Sequence, residues 1–372
     1  MSVAIDHGYL PAHRHIYNHD IMNCTADGVV GNHLFSGRAL GLTEQWDRIQ
    51  LHPDLESQWD AIHAHYQRVG LSHTEDVLWH VSRQSLGEHI GYYPSVFFFG
   101  PQEYCHWGDD QWLETVEFIN SKNNFMSLAQ TLGVDVPDTR CYDQARDVPE
   151  HLPSSLFPCY LKAAVSVSGV GIYRCENDQE MRKALATFDP TTPVQIQEEV
   201  STTTFLNLQY QVVENELIRL QASEQILEGC AHQGNRVPVA YEPWESVEPM
   251  AIWLQEQGIK GVFAFDVAVV ETSDGYRYPA IECNPRFNGA SYPTLIANKL
   301  GIKAWTATTF TTRFRELSEL PLEGLEYDPK TGEGAVIVNW GTILEGKLVI
   351  LMAGGSEYQE ALKAELQAIL QA

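Results

Sequence analysis

Gly261-Val-Phe-Ala-Phe-Asp266 and Ala280-Ile-Glu-Cys-Asn-Pro-Arg-Phe-Asn-Gly289 are joined through Thr272-Ser-Asp-Gly275. Both flanks alternate and are rich in β-branched or aromatic residues, and the connection has hairpin-turn composition, so the stretch predicts an antiparallel pair of strands. A loop centred on Asp274 sets Asp266 opposite Glu282 and Ala264 opposite Asn284. Side chains alternate along a strand, so Ala264, Asp266 and Ala268 share a face with Glu282 and Asn284. Phe263, Phe265, Ile281 and Cys283 take the other face, which is the core side.

Two carboxylates directly opposite one another, with Cβ atoms about 5 Å apart, repel unless a cation lies between them. A hard divalent ion such as Mg²⁺ takes that role and is commonly held by one or two carboxylates together with substrate phosphates. Asn284 adds a neutral oxygen, and Arg286 offers a fork for a phosphate or a developing oxyanion. An exposed acidic hairpin face, merely solvated, accounts for the same pattern when the hairpin is read alone.

Working outward, the 372 residues are enough for two or three compact units, and 44% apolar with 10% aromatic content describes a globular chain. A formal charge of −25 opposes nonspecific nucleic-acid or anionic-membrane binding. The first residues carry neither the basic nor the apolar part of a signal peptide, and no run approaches about 18 apolar residues, so a cytoplasmic location and no membrane partner are expected. Seven cysteines without a Cys-x-x-Cys pair disfavour a disulfide framework and a zinc site. His7, His13, His15 and His19 match no standard metal spacing.

From about 28 to 115 strands and helices alternate: strands at 47–52 and 95–100, with helices at 55–69 and 74–85 between them. This predicts a small α/β domain with a partly parallel sheet. A helical stretch at 111–132 stops at Gly133, with Pro137 beyond. Strands then follow at 158–163, 171–175 and 194–200, with a helix at 178–187. A hairpin of 206–213 with 216–223 turns over Glu214-Asn215, and a helix at 245–257 leads into the opening hairpin. After 310, strands at 334–340 and 347–353 and a helix from Glu357 suggest a small closing subdomain.

Lysine is scarce: Lys122 is the first in the chain and Lys162 the second. Lys162 ends a predicted strand before a Ser/Gly loop that could wrap phosphate oxygens with backbone N–H groups, although it is not a Walker loop. Taken alone, such a loop is more often an ordinary hairpin turn.

In order along the chain come Lys122 before Leu132-Gly-Val-Asp-Val-Pro137, Lys162 with Ser168-Gly-Val-Gly171, Gln197-Glu-Glu-Val200, Asp266, and Glu282-Cys-Asn-Pro-Arg286 with Asn288-Gly289. This succession resembles the ATP-grasp superfamily over about 115–310. The resemblance implies an N-terminal α/β pre-ATP-grasp domain (1–115), a two-lobed α+β ATP-grasp domain (116–310, with lobes 116–190 and 191–310) and a C-terminal subdomain (311–372). It implies ATP between the lobes. Lys122 and Lys162 would contact phosphates or the adenine edge, Ser168, Gly169 and Gly171 would close over the phosphates, and Gln197, Glu198 and Val200 would line the base. Asp266, Glu282 and Asn284 would hold Mg²⁺ or Mn²⁺, and Arg286, with Arg219 as a second basic group, would face the transferred phosphoryl group. Gln197 and Asp266 stand where relatives often have Glu.

The implied activity is an ADP-forming carboxylate–amine ligation through an acyl phosphate, on small-molecule acids and amines, most similar to amino-acid or peptide ligases of the pheganomycin type. Loading of an amino acid onto a carrier-protein thiol, phosphorylation of a hydroxyl, and a non-catalytic ATP-binding module are the alternatives. A homodimer is left open. His232, in the loop from 229 to 234, is a further residue that could touch substrate, or a plain surface histidine.

Overall fold

The computed structural model describes residues 14–25, 30–166, 171–229 and 231–371. Its N-terminal layer is a sheet of β1 (Arg14–Asn18), β2 (Arg48–Gln50), β3 (Val77–Leu78) and β4 (Tyr92–Val96). The strands lie in the order β3-β2-β1-β4 and all pair in parallel. α1 (Trp59–Arg68) follows a 3₁₀ turn at Pro53–Gln58, within the stretch predicted as one helix.

The helix expected at 74–85 does not form. Thr74 Oγ1 donates to the Asp47 carbonyl at 2.6 Å and accepts from the Asp76 N–H, and the N–H groups of Ile49 and Leu51 take the carbonyls of Asp76 and Leu78. Strand pairing and a hydroxyl that competes for backbone groups outweigh the apolar periodicity. Similarly, the strand expected at 95–100 lies a few residues earlier, as β4.

α2 (Pro101–Trp107), α3 (Asp110–Asn120) and α4 (Lys122–Leu132) lead into the next sheet. The single helix expected at 111–132 is broken at Ser121, which is extended and whose hydroxyl accepts from the Asn124 N–H. The break puts Lys122 at the first position of a new helix, with its backbone N–H on the Ala164 carbonyl at 2.7 Å. α4 closes on Gly133 at φ 68°, a left-handed conformation that glycine adopts without strain.

The small sheet takes β5 (Thr139–Tyr142), β6 (Cys159–Ala163), β7 (Ile172–Cys175) and, after α5 (Asp178–Leu185), β8 (Val194–Glu198), in the antiparallel order β5-β8-β6-β7. It therefore runs to Glu198, beyond the lobe boundary expected near 190.

The large sheet begins with β9 (Phe205–Val213) and β10 (Glu216–Glu228), whose turn holds Glu214 and Asn215 at φ 51° and 65°. That pair of positive φ values matches the twist of a tight hairpin. β11 (Ala231–Val237), α6 (Glu248–Glu256), β12 (Gly261–Ala268), the ribbon of β13 (Val270–Thr272) with β14 (Gly275–Arg277), and β15 (Ala280–Asn284) follow. After α7 (Ser291–Leu300) come β16 (Trp305–Thr311), β17 (Gly334–Asn339), β18 (Lys347–Ala353) and α8 (Ser356–Gln371). The eight strands lie in the order β15-β12-β9-β10-β11-β16-β18-β17. The segment after 310 thus has no sheet of its own and extends the central one.

One apolar cluster, with Val116, Phe125, Tyr210, Phe263 and Phe265, lies under the β12–β15 hairpin. A second joins Leu34, Leu55 and Tyr66 of the N-terminal layer to Trp340, Ile350 and Leu366 of the C-terminal segment. No helix among the described residues is long and apolar enough to cross a membrane.

Candidate active site

Asp266 pairs with Glu282 and Ala264 with Asn284, the register expected from the loop centre. The reason is partly different. The turn pairs Thr272 with Gly275, which centres it half a residue before Asp274, and a bulge between Asp266 and Val267 leaves Ile281 as the extra residue on the return strand. The bulge restores the Asp266–Glu282 alignment and sends Ala280 into the core, where it is fully buried.

The polar face is continued by β9, where Asn207 pairs with Asp266 and alternates with Gln209 and Gln211. Asn207 Nδ2 and Gln225 Nε2 each donate to Asp266 Oδ1 at 2.7 Å, and Asn284 Nδ2 donates to Oδ2 at 3.1 Å. Asn288 Nδ2 reaches Asn207 Oδ1 at 3.4 Å, while its own Oδ1 accepts from the Ala290 and Ser291 N–H groups at the start of α7. Asn207 and Gln225 were not singled out from sequence. Asn207 had a signal in the alternation of amide side chains along the otherwise apolar β9, whereas β10, with Glu216, Arg219, Glu224 and Glu228, gave none for Gln225.

Facing this hairpin, Lys122 Nζ lies 2.9 Å from Glu282 Oε2. Lys162 Nζ donates to Gln197 Oε1 at 2.6 Å, and Gln197 Nε2 donates to Thr139 Oγ1 at 3.1 Å, so the amide is locked and positions the lysine. Both lysines are buried, at 7% and 8% exposure. Burial, and then the Glu282 charge, push the Asp266 carboxyl well above its ordinary range. Burial also pushes Glu282 upward, but Lys122 at hydrogen-bond distance, with Lys162 and Arg286, outweighs it and holds Glu282 below the usual carboxylate range.

Burial and the facing Glu282 charge make Asp266 hold its proton more firmly than an ordinary carboxyl does. Two facing carboxylates with an adjacent amide form an oxygen-only donor set that fits Mg²⁺ or Mn²⁺.

The sign of the resulting pH dependence follows directly. Because its folded pKa is raised, Asp266 binds more protons folded than unfolded from its ordinary value of 3.8 up to the raised one, so it makes the metal-free chain less stable as pH rises through that window. Asp266→Asn is expected to flatten the decline in stability between pH 4 and 8, as read by urea denaturation in chelator. An unchanged slope would contradict the protonated state.

Gly171, at φ 78°, accepts from the Ala163 N–H through its carbonyl and so closes the base of the loop between β6 and β7. Ser168 and Gly169 lie outside the described residues. The Glu198 N–H bonds the Asp138 carbonyl and its carboxylate takes the Asp138 N–H, so this residue serves the β5–β8 pairing. Val200 lies in the connector between the two sheets.

Arg219 is not part of the site. It pairs with Tyr210, on the sheet face opposite Asp266, and its guanidinium is held by Glu245 and Glu248 and lies over the Trp244 ring. Its pairing continues the unbroken register of the β9–β10 turn, and the bulge between Arg219 and Gln221 then turns the rest of β10 over, so that Gln225 reaches Asp266. Arg219→Ala is expected to change ADP release by less than about twofold, since exposed ion pairs contribute little. A loss of tenfold or more in a steady-state assay would return it to the site.

His232 lies against the end of the Glu282–Gly289 segment. Its Nε2 is 2.6 Å from Asn235 Oδ1, and its ring packs where a Cβ on Gly289 would sit. His19 is fully buried between Tyr292 and Ser95.

No family model matches the chain, and no curated protein matches it by sequence. Solved structures do. The N5-carboxyaminoimidazole synthetase of Staphylococcus aureus, complexed with ADP, superposes at a TM-score of 0.60 with 10% identity over 97% of both chains. The corresponding ribonucleotide synthetase of Thermus thermophilus gives 0.58 with 14% identity over 96% of this chain and 98% of its own. The carboxyaminoimidazole ribonucleotide synthase of Aspergillus clavatus, complexed with ATP, gives 0.54 with 10% identity over 89% and 99%. Across nearly its whole length, then, the chain has the ATP-grasp fold of these synthases.

Proposed function

We propose that this protein is an ATP-dependent carboxylate–amine ligase that forms an amide and releases ADP and phosphate. The observation that carries the reading is the meeting of the Asp266–Glu282–Asn284 face with Lys122, Lys162 and Gln197, at the junction of the small and large sheets.

A substrate carboxylate oxygen attacks the γ-phosphorus and ADP departs, giving an acyl phosphate. The amine nitrogen then attacks the acyl carbon, phosphate leaves, and the nitrogen gives up a proton. Lys162, positioned by Gln197, and Lys122, released from Glu282 when nucleotide enters, neutralise phosphate oxygens. Arg286 presents its donors to the phosphoryl group in transfer and to the oxyanion on the acyl carbon. Asp266, Glu282 and Asn284 would hold Mg²⁺ or Mn²⁺, which when bound supplies charge neutralisation on the bridging and γ-oxygens.

Amino acids, as both acid and amine, are the substrate class we favour, as in the peptide ligases that the sequence resembles. The test is ADP release across pairs of amino acids, with hydroxylamine replacing the amine in a parallel arm. Acyl hydroxamate formed together with ADP supports the ligase. ADP release with a phosphorylated alcohol and no hydroxamate would make it a kinase.

A further inference from the structure

Arg38 sits in the 3₁₀ segment Asn32–Leu42 of the N-terminal layer and is 8% exposed. Its guanidinium lies 5.2, 4.6 and 4.3 Å from the ring centres of Phe35, Phe97 and Tyr292. Nε and Nη2 are both closed to solvent and have no hydrogen-bond partner among the described residues. Aromatic faces attract a guanidinium but do not take up its in-plane N–H groups. A permanently charged group with two donors out of reach of both water and acceptors is a costly arrangement for a chain to keep without use.

No anion among the described residues balances it. The groups that act on Arg38 most strongly are Tyr292, through its charge and a side-chain hydrogen bond, then Cys24 and Arg286, the last of the same sign. Burial pushes the Cys24 thiol up to about 11, and burial followed by the Arg38 charge keeps His19 neutral. Neither is a counterion at neutral pH.

The unused edge is the one this chain uses elsewhere for carboxylates. Nε and Nη2 of Arg68 hold Glu326 at 2.6 and 2.7 Å, and those of Arg277 hold Asp135 at 3.1 and 2.8 Å. In Arg38 the same pair of donors is empty. Its place is also specific: Tyr292 opens α7, directly after the Glu282–Gly289 motif, and the Arg286 charge is felt at Arg38. A bidentate anion there would lie beside the acyl-transfer centre, on the side of the N-terminal layer.

We propose that the Nε–Nη2 edge of Arg38 is an anion subsite that takes the free carboxylate of the amine-bearing substrate, an α-amino acid. This rests on the ligase reading above, which requires a second substrate close to Arg286. An amino acid that presents its amine to the acyl phosphate leaves its own carboxylate to be neutralised nearby, and a planar fork matches it in two bonds. Because the edge is shut in the ligand-free chain, the ligand enters by displacing what covers it.

The test uses the full-length chain with Mg²⁺ and ADP at fixed ionic strength. Thermal unfolding midpoints are measured with each common L-amino acid, with its carboxamide, and with inorganic phosphate. At least one free acid is expected to raise the midpoint while its carboxamide does not. Arg38→Gln is expected to weaken that acid roughly 10- to 100-fold, the scale of a lost charge-assisted pair. Arg38→Lys keeps the charge and loses the fork, so it should weaken binding too, and it carries the test if the Gln variant does not fold.

Equal stabilisation by acid and carboxamide, stabilisation by phosphate alone, no response to any acid, or an unchanged response in both variants would overturn the subsite. Arg38-dependent binding of an acid without hydroxamate or amide from any pair would defeat the ligase reading instead. Amide formation by Arg38→Gln at the wild-type KM for the amino-acid acceptor would defeat only the subsite.

Discussion

Glu282→Gln is expected to reduce ADP release by about 10²- to 10³-fold or more, the scale at which single electrostatic groups of a transfer site act. The substitution keeps the shape and removes the charge that faces Asp266 and pairs with Lys122 at 2.9 Å. Three consequences combine in one change: the donor set for the divalent ion loses a carboxylate, Lys122 loses its ion pair in the ligand-free chain, and the like charge that raises Asp266 disappears. Glu282 lies on β15, at the edge of the large sheet, so its backbone pairing with β12 survives and the circular-dichroism spectrum should not change. Unchanged turnover would remove the metal assignment and the proposed mechanism with it.

Trp340→Ala is expected to destabilise the chain by about 3–5 kcal/mol, a large part of the 5–15 kcal/mol typical of a folded domain. The indole is fully buried and sits so close to the N-terminal layer that a Cβ on Gly37 would come within 2.9 Å of its ring. The next residue, Gly341, meets the Leu34 carbonyl, where an added Cβ would be only 2.4 Å from the oxygen. Truncation leaves a void at the contact that joins the first seventy residues to the last seventy, and rigid backbone on both sides cannot collapse into it. Trp340→Phe should cost less, because it removes an indole N–H that has no partner among the described residues as well as some volume. Urea denaturation of the two variants checks both values, and a loss under about 1 kcal/mol for the alanine variant would show that the contact is slack.

The elements that could be read from sequence were those whose signal is local. The β12–β15 register followed from alternation and turn composition, and the β9–β10 turn from Glu214-Asn215, which occupy left-handed backbone. The helix expected at 74–85 failed because hydrogen bonds from β2 and from Thr43, distant in sequence, compete for the same backbone. The break at Ser121 was hidden by continuous apolar periodicity, yet it is what turns Lys122 toward Glu282. Arg219 was assigned by resemblance alone; the register that runs from the β9–β10 turn pairs it with Tyr210 and so puts it on the face away from Asp266.

What the sequence by itself determined is the inventory and its order: two scarce lysines, a Ser/Gly loop, a Gln-Glu-Glu strand and a hairpin with facing carboxylates. Alternation with a period of two assigned Asp266, Glu282 and Asn284 to one face without any coordinates. Only the tertiary structure decided which polar groups from other strands complete that face, through Asn207 and Gln225 on Asp266. Only it showed that Arg38, more than two hundred residues from the motif, is buried beside Tyr292 with Nε and Nη2 unpartnered among the described residues. The physical reason is that backbone periodicity is a property of neighbours in sequence, whereas burial and the balance of charge depend on which distant segments pack together, and those set the chemistry of the site.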